Sequence, residues 1–226
     1  MRDLLLVLLS VSTGAVDAVS WLGLDKVFSA FMTGNVVFLG FRAGGAAGPS
    51  VPRVLTSLCA FAVGAFLCGF LVGRLRDPRP VWSPRVTLAL GVGLLLQAIF
   101  LVSWLTVDGR PSAAAGDVLI GLPALAMGIQ SAAIAALGLR DVLTTAVTAT
   151  VAVFFGDLSA WTQSRGERGR LAAVAVGVFA GAALGAVLFD HSREWAPALP
   201  LGLSALAIAI AATTFGMNLA PRSRSS

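Results

Sequence analysis

Residues 28–40 read FSAFMTGNVVFLG, and the fold turns on how Thr33, Gly34 and Asn35 are accommodated in that otherwise apolar run. Glycine weakens a helix, and the Thr and Asn side chains ask for hydrogen-bond partners that lipid tails cannot supply. Composition makes lipid the relevant medium. Of the 226 residues 57% are hydrophobic and 12% charged, and apolar runs of about twenty residues recur along the chain. A single soluble core cannot absorb that much apolar surface.

Apolar segments are expected at 4–22, 27–42, 54–73, 86–105, 118–138, 142–162, 171–189 and 198–217. The connectors carry Pro, Gly and Arg, as in RAGGAAGPSVPR at 42–53 and RLRDPRPVWSPR at 74–85. Trp21, Trp82, Trp104, Trp161 and Trp195 fall at or beside segment ends, where an indole favours the headgroup layer. The expected fold class is therefore all-α: a polytopic membrane helix bundle, with residues 1–226 forming one integral membrane domain. Arg2 ahead of the first apolar stretch resembles the start of a signal peptide, but the adjacent Asp3 makes a poor basic leader and the segment is expected to stay in the mature protein.

An internal repeat also supports keeping it. A shift of 115 lays GLDKVFSAFMTGNV, 23–36, over GLRDVLTTAVTATV, 138–151, and matches Gly23, Leu24, Val27, Thr33 and Val36 with Gly138, Leu139, Val142, Thr148 and Val151. Nearby offsets pair Gly14 with Gly128, Arg53 with Arg170 and Gly64 with Gly181. The chain thus reads as two structural repeats of about four helical segments, at about 4–105 and 118–217.

Two topologies follow. If all eight segments cross, with the N-terminus inside, the inner face holds nine of the 16 basic residues. If 27–42 and 142–162 instead dip in and return, the inner face gains Arg74, Arg76, Arg79, Arg85 and Arg140 and loses Arg42, Arg53 and Arg110. It then holds eleven of the 16, as positive-inside sorting favours. In that arrangement the repeats are inverted, each with a broken or re-entrant segment, and both bring polar sequence to mid-depth. A plain seven- or eight-span bundle is the alternative.

The candidate site residues are Asp17, Thr33, Gly34, Asn35, Gln130, Thr145, Thr148 and Asp157. A carboxylate inside a span costs about 2.5–3.5 kcal/mol on insertion scales, so Asp17 and Asp157 ask for a cavity or a partner. Each also lies one turn from a tryptophan, which leaves a simple interfacial placement open. Gly34 permits a break or a close approach, and the Asn35 amide can serve a small ligand. Gln130 and Gln97 read equally as hydrogen-bond glue between helices, and Gly64 and Gly181 as close-packing positions.

Other chemistries lack their residues. His191, in FDHSREW, is the only histidine, and Cys59 and Cys68 lie about 13 Å apart along one expected helix, too far for a disulfide. No metal site, nucleotide loop or cofactor is expected. The scattered arginines form no nucleic-acid stripe, so no nucleic-acid partner is expected.

Gly14-x-x-Asp17-Ala18, Phe28-x-Ala30-x-Met32-Thr33-Gly34-Asn35, Gly128-x-Gln130-x-Ala132 and Thr144-Thr145-x-x-Thr148, in this order, resemble the YoaK-like family of uncharacterised bacterial membrane proteins. The likeness covers nearly the whole chain, with MTGN its most specific part. The chain departs from the family pattern at Phe31, where Asn is frequent, and at Ala149, where Gly is. The resemblance implies a multi-pass protein of the inner membrane and transfers no activity. From the residues, a small secondary transporter or permease for a small solute or ion is expected, with the site at the repeat interface and both termini cytoplasmic. A non-transporting scaffold or accessory protein is the alternative, an intramembrane enzyme a more distant one. A homo-oligomer stays open.

Overall fold

A computed structural model describes residues 2–73, 82–137 and 165–216. Among them every regular element is helical: α1 (Arg2–Gly23), α2 (Met32–Ala43), α3 (Val51–Val72), α4 (Pro84–Leu105), α5 (Ala113–Leu119), α6 (Gly121–Ala136), α7 (Arg165–His191) and α8 (Ala198–Gly216), with a 3-10 turn at Arg193–Trp195. Among the described residues six stretches are long and apolar enough to cross a membrane: Asp3–Gly23, Val51–Val72, Pro84–Leu105, Ala113–Ala136, Gly169–His191 and Arg193–Thr214. The 12-residue α2 is too short to be one of them.

Local chemistry sets the ends. Pro52 and Pro84 occupy the first turns of α3 and α4, where a missing N–H costs nothing. Ser83 Oγ accepts the Arg85 N–H and Ser112 Oγ the Ala115 N–H, capping α4 and α5. His191 is the last residue of α7.

Two apolar clusters mark the two ends of the bundle. At one, Leu5, Leu6 and Leu9 of α1 meet Cys68 and Val72 of α3, Val86 and Ala89 of α4, Ala133 and Ile134 of α6, Val174 of α7 and Ala207 and Ala211 of α8. At the other, Val19, Leu24 and Val27 meet Val54, Phe100, Trp104, Ile120, Phe189 and Ala196. Hence α1, α4 and α7 run one way, and α3, α5–α6 and α8 the other. α1 and α3 meet the connection between them at the same end, so Leu24–Ser50 does not cross the bundle. Trp104, at a segment end as expected, is fully buried there, and its indole N–H donates to the Arg193 carbonyl at 2.9 Å.

Glycines set the tightest helix pairs. A Cβ on Gly14 would overlap the Val178 carbonyl of α7, and one on Gly181 the Val11 carbonyl of α1. In α3 and α6 the arrangement recurs, with Gly64 against the Leu125 carbonyl and Gly128 against that of Phe61. Each pair is parallel, and backbone meets backbone only because the Cβ is missing. α1 is the innermost span: 61% of its most apolar window is buried, against 22% for α3.

Near the second cluster, buried Arg53 of α3 donates from Nε to Asp117 Oδ1 at 2.8 Å and from an amino group to the Ala113 carbonyl at 2.8 Å. It also lies 3.6 Å from Asp25. Asp25 and Lys26 both take left-handed backbone, with φ of 60°, as the chain leaves α1.

Candidate functional site: a clasped break between two helices

The expected segment 27–42 divides in two. Leu24–Phe31 is not helical, and Met32, Thr33, Gly34 and Asn35 form the first turn of α2. The break therefore lies ahead of Gly34. Gly34 serves a close approach instead, since a Cβ there would sit 2.6 Å from the Phe31 ring and 3.0 Å from that of Phe28. Those rings belong to an aromatic group in which Trp21 stacks on Phe28 at 4.7 Å and Phe28 meets Phe31 edge-on at 5.2 Å.

A non-helical stretch in apolar surroundings strands its backbone N–H and C=O groups, each worth about 1–3 kcal/mol if left unpaired. Side chains from three helices satisfy them here. Asn35, fully buried, accepts the Phe28 N–H on Oδ1 at 3.0 Å and donates from Nδ2 to the Phe28 carbonyl at 2.8 Å. Nδ2 also reaches the Ser57 hydroxyl of α3 at 3.2 Å, and Ser57 donates to the same carbonyl at 2.6 Å.

From α1, Asp17 Oδ1 accepts the N–H groups of Ser29 and Ala30, both at 2.8 Å. These amides immediately precede α2, so the carboxylate caps the positive end of that helix from a neighbouring one. Ser20 and Ser29 share a hydroxyl–hydroxyl bond of 2.6 Å. Asp17, Ser20, Asn35 and Ser57 together clasp Phe28–Ala30. Ala30 packs among Val16, Ala126 and Met127, so the clasped tip lies halfway along α1 and α6.

Gln130 stands one turn beyond Met127. Its Nε2 donates to Thr13 Oγ1 at 3.0 Å and to the Leu9 carbonyl at 3.4 Å, and Thr13 itself donates to Leu9 at 2.9 Å. Thr13 is one turn from Asp17 on α1, so the two hydrogen-bonded groups adjoin. Thr33 is exposed among the described residues. Thr145, Thr148 and Asp157 lie outside the described residues, as does Trp161.

The sequence reading missed Thr13, Ser20, Ser29 and Ser57. Their signal is faint: single small hydroxyls in apolar runs, which usually bond a carbonyl one turn back, as Ser10 does to Leu6 at 2.7 Å. Cys68 is buried and Cys59 exposed, both free, and no group of three or more His, Cys, Asp or Glu side chains gathers among the described residues.

Residues 5–210 match the family described as Protein of unknown function (DUF1275). The chain belongs to that family. Within the DUF1275 match the clasp and both glycine-paired helix contacts are included. The chain is also 34% identical over 158 residues to the UPF0700 transmembrane protein YoaK of Bacillus subtilis (strain 168), an alignment covering 70% of this chain and 68% of that one. No solved structure matches. This DUF1275 chain, with six membrane-length apolar stretches among the described residues and a transmembrane relative, is a multi-pass membrane protein.

Proposed function

We propose that the protein is a small secondary transporter or permease for a small solute or ion, built from two inverted repeats and working without enzymatic chemistry. The observation that carries this reading is the clasped break. Irregular backbone at membrane depth is tolerated where protein or a wet cavity surrounds it, and interrupted helices at mid-depth are a recurring transporter element. Asp17 places a carboxylate beside that break.

The opposed directions of α1, α3, α4 and of α6, α7, α8 support the inverted repeat. So does the correspondence of Gly14–Val178 with Gly128–Phe61 and of Gly181–Val11 with Gly64–Leu125, each at the sequence offsets found between the halves. A bacterial transmembrane relative supports an inner-membrane location, and positive-inside sorting supports cytoplasmic placement of the α1 N-terminus and the end of α8. The partners of this reading are the bilayer, one small solute or ion and, in an assembly, a second copy.

A scaffold or accessory role is the second reading. It is favoured by the commitment of the Asn35 amide and the Asp17 Oδ1 to the protein's own backbone.

Accessibility separates the two without knowing the solute. With Cys59 and Cys68 replaced by Ala, Thr33→Cys in whole cells and in inverted vesicles is treated with a membrane-impermeant maleimide. A transporter exposes this position to each face in turn, so labelling from both is expected, and Asp17→Asn should bias it to one. Labelling of Thr33→Cys from one face alone, or from neither, overturns the transport reading in favour of the scaffold.

A further inference from the structure

The bundle holds a second polar group that the clasp does not use. Gln97 of α4 is 5% exposed and donates from Nε2 to Ser204 Oγ of α8 at 3.3 Å. Ser204 and Ser12 of α1 are 2.8 Å apart, and Ser12 donates to the Pro200 carbonyl at 3.0 Å. The protons of this chain run one way. Gln97 supplies the first, Ser204 passes one to Ser12, and Ser12 ends on the carbonyl. Gln97 Oε1 is left buried with no partner.

A void of about 10 Å³ is lined by Gln97 together with Val19, Phe100, Pro123, Pro197 and Pro200. That is about the room one water needs. The wall favours acceptors over donors. None of the three prolines carries an N–H, so they offer no backbone donor to Gln97 Oε1. The unfilled requirement is thus for a donor with a single heavy atom.

We propose that one ordered water occupies this void and donates to Gln97 Oε1. Water supplies two protons and no charge. A buried carbonyl with no counter-charge nearby suits a neutral donor better than a cation. The bound water completes a polar bridge across α1, α4 and α8 that is separate from the clasp on α1, α2 and α3, and it does not depend on the transport reading.

The test is a structure of the full chain in a lipid nanodisc at a resolution that shows ordered water, paired with melting curves. A solvent peak about 3 Å from Gln97 Oε1 is expected. In Gln97→Met, which keeps the length and removes the carbonyl, the peak should vanish and the melting temperature fall. Val19→Ile, which fills the void and leaves Gln97 in place, should also lose the peak and melt lower.

An empty void in the native protein overturns the proposal. So does a melting temperature that holds or rises in either variant, the signature of a dry cavity filled or an orphan carbonyl removed. Ammonium chloride and sodium chloride should give the same melting temperature. A rise specific to ammonium overturns the assignment to water in favour of the cation.

Discussion

At the scale of single residues, the clasp makes Asn35 and Asp17 separable. Asn35→Ala would strip both backbone groups of Phe28 of their amide partner, leaving Ser57 to serve the carbonyl alone. Chemical unfolding in detergent should register a loss of about 2 kcal/mol, the cost of a buried group left unpaired. Asp17→Ala should cost a similar amount, whereas Asp17→Asn keeps an oxygen for the Ser29 and Ala30 amides and should lose under about 1 kcal/mol. Equal losses for the two Asp17 variants would mean that charge, and not capping, is what α1 supplies. The sequence marked both residues because a carboxylate or amide inside an apolar run is anomalous on local grounds. It could not say what they hold, since their partners are backbone groups whose exposure depends on where the chain leaves α1. The serines of the clasp were invisible for the complementary reason: a hydroxyl in a helix satisfies itself locally, so its use elsewhere leaves no trace in the sequence.

At the scale of the elements, the spans were legible because hydropathy is a sum over neighbours in sequence. The boundary between break and helix in 27–42 was not, because hydrogen bonds from α1 and α3 stabilise Leu24–Phe31 against helix formation. Small residues predicted close packing at Gly64 and Gly181, and the structure adds why substitution there cannot be absorbed. The overlapping atom is the neighbouring backbone carbonyl, which no rotamer change can move. Gly64→Ala and Gly181→Ala should each cost about 3 kcal/mol, the upper end of overpacking, and show as loss of the monodisperse peak on size exclusion. Gly69→Ala and Gly91→Ala meet nothing within 4 Å and should behave as native. If all four substitutions were equally harmless, the parallel pairing of α1 with α7 and of α3 with α6 would be wrong.

At the scale of the whole molecule, the arrangement of ends is itself testable. In a background without Cys59 and Cys68, Gly45→Cys and Asp108→Cys should react with an impermeant reagent from one face, and Ser83→Cys from the other. Lys26→Cys, ahead of α2, should share the face of Gly45→Cys, and modification of these two from opposite sides would place α2 across the membrane and restore the eight-span alternative. Arginine placement gave an expected orientation for the labelling to check, but the identity of neighbours was not readable, because nothing in a hydropathy profile says that the first span lies beside the last two. That adjacency has a consequence for biogenesis. Ser12 bonds Pro200 and Ser204 across separations of 188 and 192 residues, so α1, the most hydroxylated helix among the described residues, enters the membrane long before its companions exist. At about 5–20 residues per second, the ribosome needs roughly 10–40 s to deliver them. Throughout that interval the nascent N-terminal helix must be shielded by the insertion machinery or by early neighbours such as α3, and a chain stalled before α7 would present quality-control proteases with an unmated polar span.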